Sequence, residues 1–465
     1  MKKSSKILLA AVGVIAAAAV TYRAVNTAPG ADLPANQQMA AILDDGGCAS
    51  CHSASPKLPF YANWPGAKSL IQKDVDEGYR AFDIEPMLSA IAEGKAVNEV
   101  DLAKVEKTIV AGTMPLAKYY LVHWGSQLTS AKKEMALNFI RQNREDFYPN
   151  PLAADAFKNE PVRPIPDAVP HDEAKAALGE ALYHDTRLSA DGTVSCATCH
   201  GINTAGVDNL KYSEGIGGQL GGINAPTSYN AVFNFVQFWD GRAKTLADQA
   251  AGPPLNPIEM GCSSFDEIVE RLSADADFVQ LFTESYPEGL SQATITDAIA
   301  QYESTLLTPN SAFDRYLKGD AKALTAEEIQ GYELFKANKC ATCHAGINMG
   351  GLSYELMGQR ENYFADREVN IASGLTDADN GRWAQTQVER DRYRFRTPGL
   401  RNIALTWPYY HDGSVNTLPE AVEKMARFQV GTELKPEQVS LITRFLNTLT
   451  GEYKGVKLTN DNTKE

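Results

Sequence analysis

"CATCH", Cys196-Ala197-Thr198-Cys199-His200, returns letter for letter at Cys340 to His344, and a near copy, "CASCH", stands at Cys48 to His52. The copies begin 148 and 144 residues apart in a chain of 465. Ordinary domains run to about 150 residues, so this length predicts three of them, one for each word. Six of the seven cysteines belong to the words. Only Cys262 is left over, and it is expected to be a free, buried or half-buried thiol.

Three chemistries compete for Cys-x-x-Cys-His. Structural disulfides leave the adjacent histidines without a purpose. A closed zinc site needs four ligands, and no further Cys pair or His-x₃₋₅-His completes one. Covalent haem c uses every element: two thiols add to the haem vinyl groups, and the neighbouring histidine ligates the iron from one face. Three haems c are therefore expected, held by Cys48, Cys51 and His52, by Cys196, Cys199 and His200, and by Cys340, Cys343 and His344.

The ligand on the opposite face of each iron decides between electron transfer and chemistry, since a Met closes the site whereas an open position admits a substrate. In the first segment Met114, in "AGTMPLAKYY", follows His52 by 62 residues and is the preferred ligand, with Met87 or His123 as alternatives. In the last segment Met425 follows His344 by 81 residues, with Met349 and Met357 as alternatives. Between His200 and Gln249 there is neither Met nor His, and Met260 comes only after "GPPLNP". The middle iron is thus the candidate for an open site. His123, His171 and His184 otherwise sit outside any ligand pattern.

A net charge of −14 argues against nucleic acid as a partner. The start is basic, and Ile7 to Val20 is uninterrupted and apolar. It reads as an uncleaved inner-membrane anchor in preference to a cleaved signal peptide, and both readings export the remainder to the periplasm. Apolar residues recur at helical spacing, with little alternation of the strand type. The expected fold is mainly α: three cytochrome c-like domains after an N-terminal hydrophobic anchor. The boundaries are 1–28 for the anchor, 29–148 for the first haem domain, 149–170 for a Pro-rich linker, 171–320 for the middle domain and 321–465 for the last.

From about residue 170 to 451 the sequence resembles the bacterial dihaem cytochrome c peroxidases. The matching tracts are "DTRLSADGTVSCATCHG", "NAPTSYNAVFN", "QFWDGRA", "NPIEM", "FRTPGLRNIALTWPYYHDGS" and "LPEAVEKM". The extra N-terminal haem segment resembles the trihaem, membrane-anchored branch of that family. The resemblance implies that His200 holds the peroxidatic haem and His344 the electron-transferring haem, with Met425 as its sixth ligand. It implies that Glu259 is the distal acid–base residue, Gln249 its polar companion, and Trp239 the residue between the two haems. It places a calcium ion on Asn224, Thr406 and Pro408, and His411 near a propionate of the transfer haem. The substrate it implies is hydrogen peroxide, with a quinol or a small cytochrome c as reductant and a homodimer as a common assembly.

One departure stands out. Many members carry a removable histidine over the peroxidatic iron, within Gly-His-Gly; here, in "EGIGGQLGG", Ile216 occupies that place. The site is therefore expected to be open without prior reduction. Two rival functions are a non-catalytic haem relay and a dihaem oxidase that modifies a partner protein. The second branch uses a tyrosine where Met425 stands. "RDRYRFR", Arg390 to Arg396, is a basic tract in an acidic chain, facing either haem propionates or a strand surface.

Overall fold

The computed structural model describes residues 2–370 and 374–459. They are mainly helical, with two short antiparallel strand pairs, Tyr354–Leu356 (β1) with Arg394–Arg396 (β2) and Glu452–Tyr453 (β3) with Val456–Lys457 (β4). The chain divides into two compact units, Met1–Pro149 and Asn150–Glu465.

In the first unit the helix Ala35–Asp45 packs on Ser130–Phe147, and Met39, Ile42, Met87, Ile91, Leu102, Phe139 and Ile140 fill the core between the helices. Local chemistry sets the ends. Asn98 Oδ1 accepts from Val100 N (2.8 Å) to start the helix Glu99–Ala111, and Thr129 Oγ1 accepts from Lys132 N (3.3 Å) to start Ser130–Phe147. The N-terminal helix spans Lys2–Val25, and its end is tied down: Asn26 Oδ1 accepts from Gln127 N at 2.9 Å, and Tyr22 lies edge-on to Trp124. Among the described residues no helix is long and apolar enough to cross a membrane, so the expected anchor gains no support as a spanning segment. Met1, where that segment begins, lies outside the described residues.

The second unit builds two cores by the same device. The helix Glu173–Tyr183 crosses Gln292–Thr305 at Gly179, where a Cβ would collide with the Ala298 carbonyl. Ala326–Ala337 crosses Pro436–Asn447 at Gly331, where a Cβ would collide with the Leu441 carbonyl. In both pairs the missing side chain lets the backbones touch, so each haem word is preceded by a helix locked close to a partner far along the chain. Leu182, Ile268, Phe282 and Ile299 belong to the first core, and Phe313, Tyr332, Phe445 and Leu446 to the second. The tail crosses back, since Leu458 joins the first core.

The Pro-rich stretch 149–170, expected as a linker, is a strap bound into the second unit. Val162 and Ile165 are fully buried, Ala154 N donates to Leu317 O (2.9 Å), and Ile165 N donates to Asp314 Oδ1 (3.2 Å). Its prolines keep it extended, while its aliphatic residues fill the edge of the second core.

Glu303 is a liability in the first core. It is buried, its Oε2 has no partner, and burial pushes its carboxyl up to about 8. A folded-state pKa above the unfolded value means that the folded chain binds the extra proton between the usual carboxylate range and about 8. Stability therefore falls as pH rises through that window. Glu303→Gln is expected to raise the melting temperature by about 5 °C near the top of the window and to leave it unchanged at mildly acidic pH, as read by calorimetry of the haem-loaded protein.

Candidate active site

Each Cys-x-x-Cys-His word winds into one tight turn. The histidine amide donates to the first cysteine's carbonyl, His52 to Cys48 (3.1 Å), His200 to Cys196 (3.0 Å) and His344 to Cys340 (3.0 Å). Each ring is then held from behind by a backbone carbonyl: His52 Nδ1 by Phe82 O (3.1 Å), His200 Nδ1 by Gly206 O (3.3 Å) and His344 Nδ1 by Met349 O (3.0 Å). A carbonyl only accepts, so Nδ1 carries the proton and Nε2 keeps its lone pair for a metal. Burial lowers the pKa of all three rings, which keeps them neutral. None of the seven cysteines is paired, which removes the disulfide reading. Burial pushes the Cys48 and Cys196 thiols up to about 12, the wrong direction for zinc thiolates. Oriented neutral imidazole beside two thiols outside any disulfide fits covalent haem at each word. The middle word carries a support that sequence reasoning missed: Tyr183 Oη donates to His200 O at 2.8 Å, from the buried end of the helix Glu173–Tyr183.

The sulfur candidates separate by burial. Met87 is 1 % exposed in the first unit's core, whereas Met114, in the loop after Glu99–Ala111, is 37 % exposed and outside that core. His123 is occupied, with Nε2 against Tyr61 Oη at 2.8 Å. In the second unit Met349 is fully buried in a core, while Met425 ends the helix Leu418–Met425 against the cluster of Trp239, Met357, Tyr363 and Phe428. Around the middle word, Met260 is spent on core packing. His171 contacts Glu173, His184 lies edge-on to Tyr183, and His411 Nε2 meets Asp379 Oδ1 at 2.8 Å.

Glu259 lies in a turn built by Asn256. The Asn256 carbonyl accepts from the Glu259 and Met260 amides (3.1 and 3.2 Å), and Asn256 Nδ2 donates to Glu259 Oε1 (2.7 Å). The loop carrying Ile216 is laced to this turn: Ile216 N donates to Glu259 O (2.9 Å) and Gln219 Nε2 to Pro257 O (3.1 Å). The Ile216 side chain packs against Gly261 and joins the rim of the first core. Burial raises the Glu259 carboxyl above its ordinary value, with the Arg242 charge and the Asn256 bond pulling the other way. Burial raises the Cys199 thiol, with smaller contributions from the Asp208 and Glu259 charges. Gln249 is half-buried in the short helix Leu246–Ala250, and no hydrogen bond joins it to Glu259 among the described residues.

Between the two cores, Trp239, Asn224 and His411 interlock. Trp239 Nε1 donates to Asn224 O (2.9 Å), Asn224 N donates to His411 O (2.8 Å), and the His411 ring stacks on Phe395 (4.1 Å). Sequence reasoning missed what lies behind His411. Asp379 is bonded by Arg367, which also reaches Asp412 (2.8 Å), and all three are buried. Asn224, Thr406 and Pro408 line one cavity with Trp239 and Arg396. Asn224 Nδ2 donates to Leu210 O (2.9 Å), which turns its Oδ1 the other way as a free acceptor; hard oxygen donors of this kind fit calcium.

A family model described as di-haem cytochrome c peroxidase matches residues 173–322, and one described as haem-binding domain matches 7–142. The chain is 48% identical over 418 residues to cytochrome c peroxidase Ccp of Escherichia coli (strain K12), covering 90% of this chain and 88% of that one. It is 42% identical to cytochrome c551 peroxidase of Pseudomonas aeruginosa, covering 67% of this chain and 91% of the relative. Among solved structures, a MauG-like protein associated with microbial copper homeostasis superimposes with a TM-score of 0.55 at 30% identity, over 62% of this chain and 93% of that one. With the oriented histidines and these likenesses together, the chain belongs to the di-haem cytochrome c peroxidase family.

Proposed function

We propose that this chain is a three-haem cytochrome c peroxidase in which the His52 and His344 haems relay electrons and the His200 haem reacts. The enzyme reduces hydrogen peroxide to water. The observation that carries the count of three is the carbonyl-held Nδ1, repeated behind all three histidines. A pyridine haemochrome assay with intact-protein mass is expected to give three haems per chain; two would remove the first word from the scheme.

Bound haem supplies the redox-active iron that takes peroxide and passes electrons. The chain's own residues do the rest. His200, neutral and oriented by Gly206, offers Nε2. The Glu259 carboxylate takes the proton from the near peroxide oxygen and returns it to the far one, so that water leaves. Asn256 fixes Oε1, which leaves Oε2 for that shuttle. Gln249 orients the polarised peroxide from the neighbouring helix. Ile216, an apolar side chain against Gly261, has no atom to offer a metal, so this loop would leave the far side of the His200 haem to substrate in the oxidised protein. Met425 and Met114 would hold the two relaying haems from the side away from His344 and His52, and Trp239 would serve the electron path between the two cores. Asn224, Thr406 and Pro408 hold one calcium ion.

The proposed location is the periplasm, a reading supported by covalent haem attachment and by the basic, apolar run at residues 2–20. Its reductant is a small c-type cytochrome or a quinol, and turnover compared between the two donors decides which. The protein-modifying reading is the weaker one, because Met425 stands where that branch uses a tyrosine.

A further inference from the structure

Arg396 is a buried cation without an anion. It ends β2, is 3 % exposed, and its amide donates to Trp239 O at 2.8 Å. Its Nε donates to the Phe238 carbonyl at 3.0 Å, a neutral partner. Among the described residues no ion pair includes it, and the charge-bearing group felt beside it is the Tyr354 phenol of β1, itself pushed up by burial and so neutral. Burial accordingly draws the guanidinium down to about 10, a direction arginine takes only when nothing offsets its desolvation.

The guanidinium lines the cavity between the two cores. Facing it across that space are Tyr229, Tyr409 and Tyr410, the amides Asn224, Asn234 and Asn348, and no Asp or Glu. The same cavity holds the oxygen donors proposed for calcium, so a bound calcium ion would add to the charge of Arg396 rather than offset it. With no carboxylate of the lining to offset it, the Arg396 charge is left for an anion brought in from outside the polypeptide. Its walls also include Pro226 and Pro398, whose backbones lie beside the His200 and His344 rings. An anion carried by either haem thus has a short reach to the arginine.

We propose that Arg396 binds a haem propionate at the junction of the two cores, as a positioning residue that sets the orientation and potential of the haem it holds. The proposal rests on the haem reading above. It also gives one strand two tasks, since the amide of Arg396 secures Trp239 while its side chain secures the cofactor.

The test is a redox titration of the haem-loaded protein, native, Arg396→Gln and Arg396→Lys, across mildly acidic to mildly alkaline pH. Removing the charge favours oxidised iron, so one haem in Arg396→Gln should show a reduced-to-oxidised ratio about tenfold lower at fixed ambient potential. That ratio should also become pH-dependent below neutrality, because the released propionate now titrates. Lysine should restore most of both. The transition that moves, low-potential or high-potential, distinguishes the His200 haem from the His344 haem. Unchanged potentials in folded Arg396→Gln would overturn the proposal. Should that variant fail to fold, infrared redox-difference spectra with ¹³C-labelled haem carboxylates decide on Arg396→Lys: a shifted carboxylate band supports the contact, and a band identical to the native one rules it out. Native peroxide turnover and haem content stand apart from every one of these outcomes, so loss of the functional reading would be seen separately.

Discussion

Glu259→Gln is expected to fold, to carry its full haem complement and to lose about 10²- to 10⁴-fold in peroxide turnover. Gln keeps the shape of the turn, because Asn256 Nδ2 can still donate to the side-chain oxygen it now meets at 2.7 Å. What disappears is an atom able to accept a proton and give it back. A relay of closed haems would be indifferent to this change, so steady-state assays with one donor held fixed separate the two functions. The native enzyme should also show a pH signature. Burial raises the Glu259 carboxyl, so its basic form is present above that raised value and is lost as pH falls through it. The acid limb of kcat/KM is therefore expected above the ordinary glutamate range, and it should be absent from the residual activity of the variant.

Arg367→Met is expected to cost about 3–5 kcal/mol of stability at neutral pH, because it strands two buried carboxylates. Burial alone would raise the Asp379 carboxyl, but hydrogen bonds from His411 and Arg367 outweigh it and hold the group well below the usual range. Asp412 is likewise lowered against its burial by the His411 charge and the Arg367 bond. Carboxyls depressed in the folded state contribute stability above their unfolded pKa and lose it as pH falls through the folded value. In the variant both are free to take a proton, so the gap to the native protein should narrow below about pH 4. Denaturant titrations at neutral and acid pH measure both effects. Because His411 stacks on Phe395 and shares its backbone with Asn224, the damage should also reach the Trp239 junction.

What sequence made legible was local. A Cys-x-x-Cys-His word needs only one turn to bring its groups together, so the three attachment points could be read from spacing alone. Glu259 was reached only through the family resemblance of "NPIEM"; the structure adds that Asn256 builds the turn and holds Glu259 three residues later. Long-range pairing was invisible. Arg367, Asp379 and Asp412 lie on separate segments, and nothing in their spacing announces a buried ion network. The stretch from 149 to 170 begins at the boundary between the two units, as its prolines suggest, but its burial was not legible, because Val162 and Ile165 find their partners more than a hundred residues away. In "RDRYRFR" the basic character was visible, but not that Arg396 lines a cavity lacking a carboxylate. The apolar N-terminal run reads as an anchor by composition; the structure shows its end bonded to the loop at Trp124 and Gln127, with no membrane-crossing helix among the described residues.

The central claim is that one iron of three, the one opposite His200, has no protein ligand on its far side. Electron paramagnetic resonance of the fully oxidised, never-reduced enzyme tests this most directly. One high-spin ferric haem beside two low-spin ones, with the high-spin signal altered on adding a small anion, is the predicted result. Three low-spin haems, insensitive to that anion, would contradict it.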